Sequence, residues 1–311
     1  DMATVTLTTI YGKTKTLMVS REGSKPMLKV ENEETGISKY EQTLMLGFTS
    51  NYDDGFEVKN NNSWLQVSIE DNTAKMRQKA ERITYIGLSR ATVKQKGSSA
   101  TSYFLSIKAS EHTGEYARSG QITLSTKDKK LSTTFKIVQE GANGFCHDAK
   151  HPHAIDLGTG VKFACCNVGA SSPEEYGCYY AWGEVKEKSY YDQSSYLYND
   201  RNIGDDIAGT SYDVAHVLWK GEWKMPNQSQ LEALRSQCSS VWVNMNGSNG
   251  RMFTGRNGMY IFLPAAGSRA GYSVNDGYGK YWSKNAKYDS GYAYNLFFKS
   301  NYLSPRYEYG T

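Results

Sequence analysis

The residues best suited to chemistry lie in one short run, Cys146-His147-Asp148-Ala149-Lys150-His151-Pro152-His153, which sets three of the five histidines beside a thiol and a carboxylate. Thiolate, imidazole and carboxylate are ligand types that transition metals accept. The run is polar and shows no alternation, so it reads as an exposed segment between domains with nothing to hold ligands in fixed geometry, and no metal is expected there. Cys165, Cys166, Cys178 and Cys238 bring the cysteines to five, which leaves at least one unpaired in any intramolecular scheme. Two C-x-x-C pairs, the usual spacing of a structural zinc site, are absent. Cys165 and Cys166 are adjacent on what reads as a strand, so one faces the core while the other pairs or lies exposed; a disulfide is allowed but not required.

Carboxylates come in two pairs. Glu174-Glu175 follows Pro173, and Asp205-Asp206 lies between Gly204 and Gly209. Both read as solvated loop charges rather than the two carboxylates that glycoside hydrolysis holds across a cleft at ~5–10 Å. A nucleophile with a neighbouring base is not recognisable either. Neither an enzymatic activity nor a cofactor is expected.

Something must still position these side chains, and the composition says what kind of element does so. The chain has 311 residues, enough for two domains and a fragment. Its 29 Gly and 24 Tyr against 6 Pro suit short strands and turns and exclude an all-helical fold. A formal charge of +4, from 36 basic and 32 acidic residues, is too weak for a phosphate-binding stripe, so nucleic acid is not an expected partner. No apolar run approaches the ~18 residues of a spanning helix. No export h-region or lipid-attachment cysteine lies near Asp1, so the sequence reads as starting beyond any export signal, with membrane contact only through an anchor outside this chain.

The chain divides at about residue 142. Before it stand 6 Tyr, 1 Trp and 4 Phe; after it stand 18 Tyr, 5 Trp, 6 Phe and every cysteine. Residues 143–154 read as a linker. In the first part, 64–69, 104–108, 121–125 and 135–138 alternate near period two between Gly, Asn and Ser turns, the pattern of a β-sandwich. The hairpin 120–126 with 131–141 has a second copy in 3–9 with 17–23, an internal repeat. Residues 1–24 are thus either the last two strands of an upstream copy or an extra hairpin of the 25–142 domain. In the second part, Asn227 with Gln230 forms a capping box ahead of Leu231, Leu234 and Cys238 on one helical face, and Asp213 caps a shorter helix at 214–218. Residues 261–263, 280–283 and 292–298 read as short strands, giving an α+β domain with an antiparallel sheet.

These segments carry two resemblances to known families. Trp64 with its alternating strand, Arg118-Ser119-Gly120-Gln121-Ile122-Thr123-Leu124 and Val138-Gln139-Glu140-Gly141 resemble the BACON module, the Bacteroidetes-associated carbohydrate-binding domain often found N-terminal to other domains. The resemblance covers about 25–142 and implies an immunoglobulin-like β-sandwich on an exported protein. Flanked by strand alternation, Trp64 reads as core rather than as a sugar platform, and the module as a spacer. Residues 155–311 resemble the Fibrobacter succinogenes major paralogous domain, through Val161 to Ala170 with Tyr179-Tyr180-Ala181-Trp182-Gly183-Glu184, Trp223-Lys224-Met225-Pro226, Phe262 to Gly267, and Tyr281-Trp282-Ser283. That family implies a C-type-lectin-like fold, so the overall expectation is a multi-domain chain: an immunoglobulin-like sandwich followed by an α+β lectin-like domain. The family usually continues past Gly310 with one more strand, so an unpaired sheet edge is expected.

The lectin resemblance places a ligand site in the long loop region, 266–282. Its chemistry fits a sugar: Tyr272 and Tyr278 offer flat faces for C–H groups, and Arg269, Asn275 and Asp276 offer donors and acceptors for hydroxyls. The Glu-Pro-Asn or Gln-Pro-Asp loop of calcium-dependent lectins is absent, so calcium is not expected. The resulting expectation is an exported or cell-surface binding or adhesion protein, its lectin-like domain presented on a sandwich spacer, with a glycan or glycoprotein such as host mucin as partner. The alternatives are a structural subunit of a fimbria-like appendage and an accessory part of a carbohydrate-active enzyme.

Overall fold

A computed structural model describes residues 2–8, 14–20, 25–52, 55–70, 100–199, 201–287 and 292–310. Two strands at the start, β1 (Met2–Thr8) and β2 (Thr14–Ser20), pair antiparallel as a separate two-stranded sheet. The sandwich follows: β3 (Leu28–Val30), β5 (Gln42–Ser50), β8 (Thr101–Ala109) and β7 (Leu65–Glu70) form one sheet. The other holds β4 (Glu34–Ile37), β10 (Ser132–Gln139), β9 (Arg118–Thr126) and β6 (Phe56–Asn60). Period-two alternation does the folding work. In β9, Gly120, Ile122, Leu124 and Thr126 point inward, and in β8 Leu105, Ile107 and Ala109 meet them from the facing sheet.

The segments that resemble the BACON module form one corner of this sandwich. Arg118 lies over the Trp64 ring, 4.4 Å from its centroid, and its Nε donates to Gln139 Oε1 at 2.9 Å. Gln139 is fully buried, and its amide donates to the carbonyls of Ser38, Lys39 and Ser110. Trp64 packs against the sandwich core with its outer face covered by Arg118, which leaves no open aromatic platform.

Beyond residue 154 come β11 (Ala154–Asp156) and β12 (Lys162–Ala164), then the helices α1 (Val214–Trp219) and α2 (Gln228–Gln237). Asn227 and Gln230 form the expected capping box on α2, and Asp213 caps α1. A three-stranded sheet follows, β13 (Ser239–Met245), β14 (Ser248–Thr254) and β15 (Tyr260–Pro264), then the small hairpin β16 (Ser268–Ala270) with β17 (Ser273–Asn275). A second three-stranded sheet, β18 (Gly279–Lys287), β19 (Tyr292–Lys299) and β20 (Tyr302–Tyr309), carries α2 across its face. β19 is the most buried strand, because Ala293 to Phe298 are covered on both sides. Among the described residues no helix is long and apolar enough to cross a membrane.

The segment expected to be an open linker is packed. Phe145 and Cys146 are buried in one continuous cluster with Val138 of the sandwich and Met259, Ile261 and Leu296 of the second domain. Phe145 meets the Tyr260 ring edge-on at 5.0 Å, and Tyr260 Oη donates to Glu140 Oε2 at 2.7 Å. Burial, with the Glu140 carboxylate beside it, holds the Tyr260 hydroxyl above the ordinary phenol range. The sandwich's edge strand β4 is capped the same way: Gly36 N donates to Asn257 O at 2.7 Å. A Cβ on Gly36 would stand 2.8 Å from Met259 N, Met259 Sδ and Phe145 Cζ, so only glycine permits the approach. Gly36→Ala should therefore destabilise the chain by about 1–3 kcal/mol, read as a lower denaturant midpoint at unchanged slope. A midpoint equal to the parent's would mean that the two domains do not seat on each other as described.

Candidate functional site

The second domain holds a cleft of about 490 Å3, within the range of small-molecule sites. Three walls build it. One is the loop carrying Tyr176, Tyr179 and Tyr180; the second is α1 and the turn after it, with Trp219 and Trp223; the third is β18 with Tyr281 and Trp282. The loop is fixed by backbone and ring bonds. Tyr191 and Gly271 exchange backbone hydrogen bonds at 3.0 and 2.7 Å, Tyr179 Oη donates to Ala266 O at 2.7 Å, and Trp282 Nε1 donates to Tyr180 O at 3.2 Å. Trp219 and Trp223 stand edge to face with centroids 5.3 Å apart. Desolvation raises the Tyr179 hydroxyl to about 12, and its proton is held by Ala266 O.

The charged groups around the cleft are mostly cationic. Lys162, Lys224, Arg269, Lys280 and Lys284 line it, and Glu222 is the one carboxylate among the lining residues. Lys280 and Lys284 are engaged by Glu308 and Asp206, each at 2.6 Å. Such a cleft can bind an apolar ring face on its aromatic walls and hydroxyls or a negative group at its rim.

The five residues expected to form the site do not converge on one point. Arg269 turns into the cleft wall, its guanidinium 5.6 Å from the Tyr179 centroid and 5.7 Å from that of Tyr191, with Nη1 donating to Lys188 O at 3.3 Å. Its Nε is buried without a hydrogen-bond partner. Tyr278 faces the other way, bonded through its hydroxyl to Ser268 Oγ at 2.6 Å and lining a second depression with Phe297 and Arg306. Tyr272 is 76% exposed at the tip of the β16–β17 hairpin, against Tyr190 at 4.8 Å. Asn275 and Asp276 are exposed on the same hairpin. Tyr180, Trp219 and Trp223 were not singled out from sequence as ligand residues. Their signal was present in the concentration of aromatics after residue 142, but the order of residues does not say which of them face a common space.

A second cluster lies at the junction. β11 and β12 pair with Ala154 opposite Ala164, so the next residues outward, His153 and Cys165, face each other. Cys165 N donates to His153 O at 3.0 Å, and His153 N donates to Cys165 Sγ at 3.1 Å. The expectation that nothing holds the Cys146–His153 side chains in place is thereby overturned. One donor atom from each of Cys146, His151, His153 and Cys165 lies within 4.8 Å of the others, and all but His151 are buried. Side-chain hydrogen bonding, with Cys146 first and Cys166 second, lowers Cys165 from the usual thiol range. The bond between Cys146 and Cys165, with burial, raises Cys146.

No protein-family model matches the chain, and no curated protein matches it. Three solved structures are similar to parts of it. One is a Bacteroides ovatus GH5 xyloglucanase in complex with a XXXG heptasaccharide, at 9% identity and TM-score 0.22, covering 40% of this chain and 20% of that one. Another is an endo-fucoidan hydrolase of glycoside hydrolase family 107, at 11% and 0.22, covering 41% and 16%. The third is the sialic acid binding region of a Streptococcus sanguinis adhesin bound to 3'sLn, at 10% and 0.21, covering 88% and 55%. This chain thus spans little more than half, or much less, of each structure's length, and likeness at these scores decides neither fold nor activity.

Proposed function

We propose that the chain is an exported, surface-held binding module whose second domain recognises a glycan or glycoprotein. The observation that carries this reading is the aromatic cleft. Tyr179, Tyr180, Trp219, Trp223 and Trp282 present ring faces and edges around one space of sugar-sized volume, with donors at the rim. Its single lining carboxylate, Glu222, leaves glycoside hydrolysis without the second acidic group that the reaction uses. The resemblances of 25–142 to the BACON module and of 155–311 to the Fibrobacter succinogenes major paralogous domain support an immunoglobulin-like spacer, a lectin-like binding domain and export. In this reading the site lies inward of the sequence expectation: from the 266–282 loop Arg269, Tyr281 and Trp282 contribute, and the hairpin tip lies outside the cleft lining.

The test is a glycan and mucin-fragment array probed with the full chain, followed by titration of whichever oligosaccharide binds. Trp223→Ala combined with Tyr180→Ala should remain folded and weaken binding at least roughly tenfold, since each ring face removed is worth on the order of 1 kcal/mol. Tyr272→Ala with Asn275→Ala should change affinity little. The opposite ranking would put the site on the exposed hairpin, and a folded chain that binds no saccharide would overturn the reading.

A further inference from the structure

We propose that Cys146, His151, His153 and Cys165 hold one zinc ion in a closed tetrahedral site that fastens the junction segment to the first strand pair of the second domain. The proposal is independent of glycan binding, and none of its four residues lines the cleft.

The geometry fits the ion. In a tetrahedron with Zn–S of ~2.3 Å and Zn–N of ~2.0–2.1 Å, neighbouring donor atoms are ~3.3–3.8 Å apart. Here His151 Nδ1 is 3.3 Å from Cys165 Sγ, His153 Nδ1 is 3.5 Å from the same sulfur, and Cys146 Sγ is 4.0 Å from His151 Nδ1. The remaining pairs stay within 4.8 Å, so the widest pair closes around a metal with a change in separation of at most about 1 Å. Two sulfurs with two imidazole nitrogens in that arrangement suit zinc over the harder cations.

The surroundings are those of a metal-bound histidine. His153 is 4% exposed, and its outer nitrogen Nε2 meets Asp148 Oδ1 at 3.2 Å. The carboxylate is itself oriented by Lys150 N at 2.6 Å. A carboxylate on the far ring nitrogen fixes the tautomer that leaves Nδ1 free to ligate. Cys146 is fully buried and Cys165 nearly so, which shields the sulfurs from solvent. All four positions are filled by protein, so no open position remains for water or substrate, and the site's role is structural. The ligand spacing explains why it escapes a motif search: Cys146, His151 and His153 are local, but Cys165 arrives only through the β11–β12 register.

The full chain, expressed with zinc and purified without chelator, should retain about one zinc per molecule after dialysis. Cobalt added to the metal-stripped chain should give intense visible bands of tetrahedral Co(II) with a thiolate-to-metal charge-transfer band. Cys146→Ala with Cys165→Ala should lose the metal entirely, while Cys178→Ala and His147→Ala keep it. If the double variant fails to fold, the cobalt spectrum of the parent decides by itself. A chain that dialyses metal-free, weak octahedral cobalt bands, or a Cys146–Cys165 disulfide in the peptide map of the freshly purified protein would each overturn the site.

Discussion

Asp213→Ala should lower stability by about 3–5 kcal/mol, among the largest losses for one side chain here. Asp213 is fully buried, and its carboxylate serves three separate segments. It accepts from His216 N at 3.1 Å as the cap of α1, from Gly209 N at 3.0 Å in the preceding loop, and from Met225 N at 3.2 and 3.1 Å beyond the helix. Alanine strands all three donors, and the loss exceeds the ~1 kcal/mol of an ordinary exposed cap because Met225 has no water to turn to. Asp213→Asn keeps one acceptor oxygen and should fall between. Because α1 carries Trp219, the same variant should also weaken whatever binds the cleft. Chemical unfolding measures the first effect; an alanine variant within about 1 kcal/mol of the parent would show that these bonds do not tie the three segments together.

Arg251→Lys should cost nearly as much as Arg251→Met, about 3–5 kcal/mol, although lysine keeps the charge. Arg251 is 8% exposed on β14, and burial lowers its pKa from the ordinary guanidinium value. Its fork reaches the turn between β19 and β20: Nε and Nη2 donate to Lys299 O at 3.2 and 3.0 Å, and Nη2 also to Ser300 O at 3.1 Å. Nη1 donates to Ser240 Oγ at 3.0 Å on the neighbouring strand. An ammonium cannot span these acceptors at once and would be buried with fewer bonds than it needs. Full stability in the lysine variant would reduce Arg251 to a point charge and remove the clamp. Loss in both variants, with intact stability in an exposed control such as Arg235→Lys, is the expected pattern.

How far the sequence reaches can be judged element by element. Strand alternation marks β7 to β10, and side-chain capping chemistry marks both helices, because those signals lie within a few residues of the structure they specify. The hairpin β13–β14 was missed although its signal was local. Asn246-Gly247 sits between two alternating runs, and both residues adopt left-handed backbone, φ 47° and 94°. β4 was not legible, since its four residues form a strand only by lying parallel against β10 and beneath Met259. The junction was misjudged because polarity was taken for exposure. His151, His153 and Asp148 are polar yet find partners in one another and in Cys165, which is 12 positions from His153. Which side chains of the 266–282 loop face inward depends on the Tyr191–Gly271 bridge, and no local pattern encodes that.

The parallel pairing of β4 with β10 also sets an order of events for a chain emerging from the ribosome. Glu34 must wait 102 residues for Lys136, and Gly36 waits longer still for Asn257 and Met259 to cover it. The local hairpins can close within their own neighbourhoods, but this edge stays open until most of the second domain has been made. Loop closure over that distance is slow, and an uncovered strand is what chaperones bind and what neighbouring nascent chains pair with. Folding yield should therefore depend on synthesis running through residue 259, and a chain halted near 250 would carry a finished sandwich in every respect but its exposed seam.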